Sequence, residues 1–175
     1  MTDKLQVGIV GLGLLGISAG LALHRYQERV TVVGHDPSPE ASSAAKRLGA
    51  GHRTEWNLIS AVMNADRVIL AQPVDELYNT LKAIGGELKA GCVVVDMAEV
   101  KGPVMAWAAE LLPKEVHLIG GHPILMVENP SVDAASADLF EKKLFCLTPD
   151  AGCEASAVRL AADLVEAMGA TPFFL

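Results

Sequence analysis

The hexapeptide Gly11-Leu12-Gly13-Leu14-Leu15-Gly16 constrains the fold of this chain more than any other feature. An apolar run, Gln6–Val10, leads straight into it, and a helical pattern follows at once. Each glycine has its own task at such a strand–turn–helix junction. Gly11 permits the tight turn, Gly13 lets a pyrophosphate approach the backbone, and Gly16 lets the helix lie close to the strand. The N–H groups at the helix start, at Leu14 and Leu15, then face the phosphates and are reinforced by the helix dipole. Asp36 follows 20 residues after Gly16, at the end of the second apolar run. An acid there accepts hydrogen bonds from the adenosine ribose hydroxyls. The same charge repels the extra phosphate of NADP, and Gly34-His35-Asp36-Pro37-Ser38 contains no arginine to receive it. The pattern predicts a site for NAD; a glycine turn that serves packing alone is the alternative.

The remaining chain repeats the alternation. Apolar runs at Val30–Val33, Arg67–Ala71, Cys92–Asp96, His117–Gly120, Leu144–Leu147 and Pro172–Leu175 read as strands buried on both faces. Helical patterns occupy residues 14–26, 39–48, 75–84, 101–112 and 154–168, with Gly169 as a cap for the last. The prediction is a single α/β domain over residues 1–175: a doubly wound, mostly parallel Rossmann sheet of about seven strands with helices on both faces. One irregular stretch, from Pro123 to about Ala135, follows a strand's carboxyl end. Open α/β sheets bind their ligands at that edge.

A net charge of −7 leaves little to neutralise a run of phosphates, so nucleic acid is not an expected partner. Three cysteines, Cys92, Cys146 and Cys153, lack CxxC spacing, which fits a reducing, cytoplasmic setting better than disulfides or zinc. No metal-ligand motif is present, and no metal is expected. Neither a signal peptide nor a run long enough to span a membrane is visible.

Two later segments look chemical: Asp96 through Pro103, and Gly120-Gly121-His122-Pro123. Both fall at carboxyl ends of predicted strands, over the nicotinamide side of the sheet. His122 there suits a general base, with Glu99 within reach to orient its ring; a structural histidine in a turn is the plainer reading. His24 reads as solvated, while His35, which could equally cap its strand, His52 and His117 are weaker candidates. Trp56 and Trp107 read as packing residues rather than stacking platforms.

In these motifs the chain resembles the nucleotide-binding domain of the prephenate/arogenate dehydrogenase family. The similar segments are Val7 through Gly16, Val68 through Val74, Val95-Asp96 through Val100-Lys101-Gly102-Pro103, Gly120 through Pro123, and Ala137-Asp138-Leu139-Phe140 leading to Leu147-Thr148-Pro149. The resemblance implies hydride transfer to NAD from a cyclohexadienol acid with loss of carbon dioxide, on the route to tyrosine. It places Gln72 and Pro73 with the cofactor and makes His122 the acceptor of the ring hydroxyl's proton. Three departures accompany it. Glu99 stands where the family usually has a serine, and Ile124-Leu125-Met126-Val127 replaces a small glycine-containing turn. The family's C-terminal helical domain, which makes the dimer and supplies much of the substrate site, is not in this sequence. A homo-oligomer, or a separate chain over the cleft, is therefore expected. An NAD-binding regulatory module, or a short dehydrogenase relative without prephenate activity, is the alternative function.

Overall fold

Valine, isoleucine and leucine dominate the strand runs because both faces of the sheet are covered, leaving no solvated face for polar alternation. The computed structural model describes residues 4–175. In chain order the elements are β1 (Leu5–Val10), α1 (Leu14–His24), β2 (Val30–His35), α2 (Pro39–Leu48), β3 (Arg53–Thr54), α3 (Leu58–Val62) and β4 (Arg67–Leu70). They continue with α4 (Val74–Ile84), β5 (Val93–Asp96), α5 (Gly102–Leu111), β6 (His117–Pro123), β7 (Leu144–Thr148), α6 (Ala155–Ala167) and β8 (Thr171–Phe174). One sheet joins the strands in the order β3-β2-β1-β4-β5-β6-β7-β8. Every neighbouring pair is parallel except β6 and β7.

Alternate side chains along the strands feed two core layers. Val7, Ile9, Ile69, Val93 and Val95 point into the layer covered by α1, α2 and α6. Val10, Val68, Leu70 and Val94 point into the layer covered by α3, α4 and α5. The predicted doubly wound Rossmann sheet is present, with amendments. The sheet has eight strands rather than about seven, because the two-residue β3 pairs with β2. The five-residue α3 was not among the predicted helices; the Asn57 side chain caps it by accepting the Ser60 N–H at 3.0 Å. β6 runs on to Pro123 because its second half pairs with β7, from Gly120 opposite Thr148 to Pro123 opposite Phe145. The irregular stretch thus begins at Ile124 and contains a short 3-10 turn at Val132–Ala134. It is tied back to α1, where the buried Ser18 hydroxyl accepts the Ser136 N–H at 3.1 Å and Arg25 pairs with Asp138. No helix among the described residues is long and apolar enough to cross a membrane.

How closely α1 lies on the sheet is set by glycine. A Cβ on Gly16 would lie 1.8 Å from the Gly11 carbonyl oxygen, and one on Gly20 would lie 2.0 Å from that of Ala50. Both obstacles are backbone, so no side chain can turn aside. Gly16→Ala and Gly20→Ala are each expected to lose about 3 kcal/mol of stability. Urea unfolding curves that match the unsubstituted chain would contradict this packing.

Candidate functional site

The carboxyl ends of β1, β4, β5 and β6 open on one edge of the sheet, where loops and helix starts enclose a cleft of about 550 Å³. Gly13, Leu14 and Leu15 form one wall, Gln72 and Pro73 the floor beside it, and Glu99 and His122 the far wall. Seven of the ten residues singled out from the sequence therefore border one space. Gly11, Gly16 and Asp36 stand behind it and shape the glycine loop.

That loop is built from backbone. Gly11 takes φ +94°, a left-handed conformation open to glycine, and its N–H donates to the His35 carbonyl at 2.9 Å. The Leu12 N–H donates to Asp36 Oδ2 at 2.7 Å, and the Ser38 N–H to Asp36 Oδ1 at 2.8 Å. Each carboxylate oxygen keeps a second lone pair for a hydroxyl donor. Gly13 is exposed, and a Cβ there would meet nothing within 4 Å, so the backbone is open to a bulky anion. Leu14, Leu15 and Gly16 present N–H groups that have no partner within the helix. The first turn of α1 carries no acidic side chain to fill that place. Gln72 is held by two bonds: Thr80 Oγ1 donates to its Oε1 at 2.8 Å, and its Nε2 donates to Glu76 Oε2 at 2.9 Å. This arrangement fits the pyrophosphate and ribose of a dinucleotide.

The other half of the cleft rests on a buried ion pair. Asp96, fully buried at the end of β5, is paired with Lys101 Nζ just before α5. Asp96 also accepts the Ala98 N–H and the Gly121 N–H, each at 3.0 Å. Lys101 Nζ in turn donates to the Gly121 carbonyl at 2.6 Å. Burial pushes the Asp96 carboxyl above the usual carboxylate range, against the opposing charge of Lys101 and the two N–H donors. Burial likewise pulls the Lys101 ammonium below its ordinary value. The pair thereby pins β6 one residue before His122. His122 Nδ1 is buried and meets no hydrogen-bond partner among the described residues, as is also true of His24 Nδ1 and Gln6 Nε2; unlike those two, His122 borders the cleft. Glu99 is exposed, and among the described residues no hydrogen bond or ion pair joins it to His122. Asp96 and Lys101 were missed as a pair by sequence reasoning. The available signal was an acid ending an apolar run, with a lysine five residues on before Gly102-Pro103.

The weaker candidates fall elsewhere. His35 is buried, and its Nδ1 donates to the Glu55 carbonyl at 3.0 Å. His24 is not solvated as expected: it is half-buried, its ring centroid 4.8 Å from that of His52. Trp107 is half-buried edge-on to Tyr78, whereas Trp56 is no packing residue, being 87% exposed. Leu125 and Val127, from the irregular stretch, complete the cleft beside His122. Among the described residues no group of three or more His, Cys, Asp or Glu is placed to hold a metal.

A family model described as prephenate dehydrogenase, nucleotide-binding domain, matches residues 19–173. Cyclohexadienyl dehydrogenase of Zymomonas mobilis is 34% identical over 169 residues, covering 97% of this chain and 57% of that protein. Prephenate dehydrogenase of Bacillus subtilis is 30% identical over 163 residues, covering 93% and 44% respectively. The solved structure of prephenate dehydrogenase from A. aeolicus in complex with hydroxyphenyl propionate and NAD+ is similar with a TM-score of 0.88 and 27% identity. The likeness covers 99% of this chain and 60% of that one. The chain thus spans about half the length of the curated relatives it matches.

Removing Lys101 strands a buried carboxylate. Lys101→Met is expected to cost about 3–5 kcal/mol in urea unfolding, and Asp96→Asn with Lys101→Met together distinctly less. Equal losses in the single and double variants would show that the ion pair is not what holds β6.

Proposed function

The chain belongs to the prephenate dehydrogenase family as its nucleotide-binding domain, and on that premise we propose that it holds NAD+ and forms the cofactor half of a dehydrogenase for a cyclohexadienol acid. The substrate class is that of prephenate or arogenate, oxidised and decarboxylated on the route to tyrosine. The single observation that carries this reading is the shared cleft, which sets the glycine loop opposite His122.

The dinucleotide, when bound, supplies a hydride acceptor at C4 of its nicotinamide. The residues divide the remaining work. N–H groups of Leu14, Leu15 and Gly16 receive the pyrophosphate across the open backbone of Gly13. Asp36 accepts from the adenosine ribose hydroxyls while its other lone pairs hold the loop. Gln72 and Pro73 bound the cofactor's path between its two halves. His122 accepts the proton of the substrate's ring hydroxyl, held in place by the Asp96–Lys101 pair behind Gly121. Because gain of aromaticity drives the departure of carbon dioxide, positioning and proton acceptance are most of what the protein must provide.

Glu99, charged and unpaired with His122, and the apolar Leu125 and Val127 beside it favour a second reading. In that reading the chain is a short relative acting on a less anionic substrate, or an NAD-responsive regulatory module. A cytoplasmic setting fits the three free cysteines. A second copy fits the exposure of Phe173, Phe174 and Leu175 at the edge strand β8, and a separate chain over the cleft fits the exposure of Met126 between the cleft-lining Leu125 and Val127.

Titration calorimetry is expected to give tighter binding of NAD+ than of NADP+; the reverse order would remove Asp36 from its assigned role. With prephenate or arogenate, turnover is read from the absorbance of the reduced cofactor. His122→Asn is expected to bind NAD+ normally and to lose about 10²–10⁴-fold in rate. Unchanged NAD+ affinity with no turnover of either acid by the unsubstituted chain would favour the second reading.

A further inference from the structure

Trp56 is the most exposed aromatic side chain among the described residues. It is 87% exposed, although a buried indole would remove a large apolar area from water. Its neighbours are anything but loose. The Glu55 N–H donates to the Gly34 carbonyl at 2.8 Å, and the Glu55 carbonyl accepts from His35 Nδ1 at 3.0 Å. Arg53 and Glu55 are ion-paired at 3.0 Å. On the other side, Asn57 is fixed as the cap of α3 through the Ser60 N–H. A rigid backbone therefore carries an indole that packs on little of the protein.

The position of that indole follows from the register. β2 and β3 are parallel, with Val33 opposite Arg53 and Gly34 opposite Thr54. The chain runs on past β3 through Glu55, whose N–H donates to the Gly34 carbonyl, so Trp56 emerges beside the carboxyl end of β2, the end from which Asp36 follows. It stands at the same edge of the sheet as the cleft. In the reading above, the sheet order β3-β2-β1-β4-β5-β6 is also the order of the cofactor's parts. His122 on β6 marks the nicotinamide end, Gly13 after β1 the pyrophosphate, and Asp36 after β2 the adenosine ribose. The next position outward from the ribose is the adenine, and the next strand outward from β2 is β3.

Resting on that cofactor reading, we infer that Trp56 is the platform on which the adenine of the bound dinucleotide stacks. A π-face on an anchored backbone suits a flat, neutral base. Stacking of this kind also covers an indole that the fold leaves in water.

The test separates the two ends of the ligand. NAD+, ADP-ribose and nicotinamide mononucleotide are titrated into the unsubstituted chain, Trp56→Ala and Trp56→Phe. Trp56→Ala is expected to weaken NAD+ and ADP-ribose by about tenfold or more, Trp56→Phe by less, and nicotinamide mononucleotide not at all. Thermal unfolding of Trp56→Ala should match the unsubstituted chain, as an exposed side chain requires. In a Trp107→Phe background, ADP-ribose should quench the remaining indole fluorescence. Unchanged ADP-ribose affinity in Trp56→Ala, or an equal loss for the mononucleotide, overturns the platform while leaving NAD+ binding intact. Failure of the unsubstituted chain to bind NAD+ at all overturns the cofactor reading and the platform with it.

Discussion

The Gly11 carbonyl oxygen occupies the place that any side chain on Gly16 would need, and this contact seats α1 against the first strand. Four residues on, Gly20 rests in the same way against the Ala50 carbonyl. Two backbone contacts thus fix both the height and the tilt of the helix. Its unpaired N–H groups are aimed over the end of β1 as a result, and the open space at Gly13 lies in front of them. The loop between β6 and β7 is anchored to the same helix through Ser18, so the cleft's far wall takes its position from it too.

The two halves of the cleft are held by different physics. On the phosphate side, glycine geometry and main-chain bonds do nearly everything, and little side-chain charge is buried. On the His122 side the chain accepts a buried Asp96–Lys101 pair, which for stability alone is no better than well-packed apolar residues. What it provides instead is direction. Bonds from both partners converge on the two polar backbone groups of Gly121, so the strand cannot slide or twist there without losing both. A histidine presented from the next residue inherits that rigidity.

Features encoded within a short stretch of sequence were legible. The glycine loop, the acid at the end of β2 and the long helices α4, α5 and α6 are patterns of neighbouring residues. Features decided by distant pairing were not. β3 is two residues long and exists because β2 offers it an edge. β6 extends to Pro123 because β7 comes back antiparallel from more than twenty residues away. The same limit explains the site. His122 and Glu99 were recognised as residues of the same edge, but whether their side chains meet depends on rotamers and loop direction, and they do not pair. Trp56 reads from the sequence as a packing residue rather than a stacking platform; its exposure follows from the place where β3 ends, which no local pattern records.

Asp36 has a consequence for how such a site can change. Both its oxygens are already engaged by main-chain donors, one from the glycine loop and one from the start of α2. An asparagine would turn an amide NH2 towards one of those donors, and a shorter side chain would release both. In the role proposed for Asp36, selectivity for the cofactor and the shape of the loop are invested in the same atoms. A lineage drifting towards a phosphorylated dinucleotide would have to re-anchor Leu12 before it could discard the acid, which makes the choice of cofactor hard to reverse by single steps.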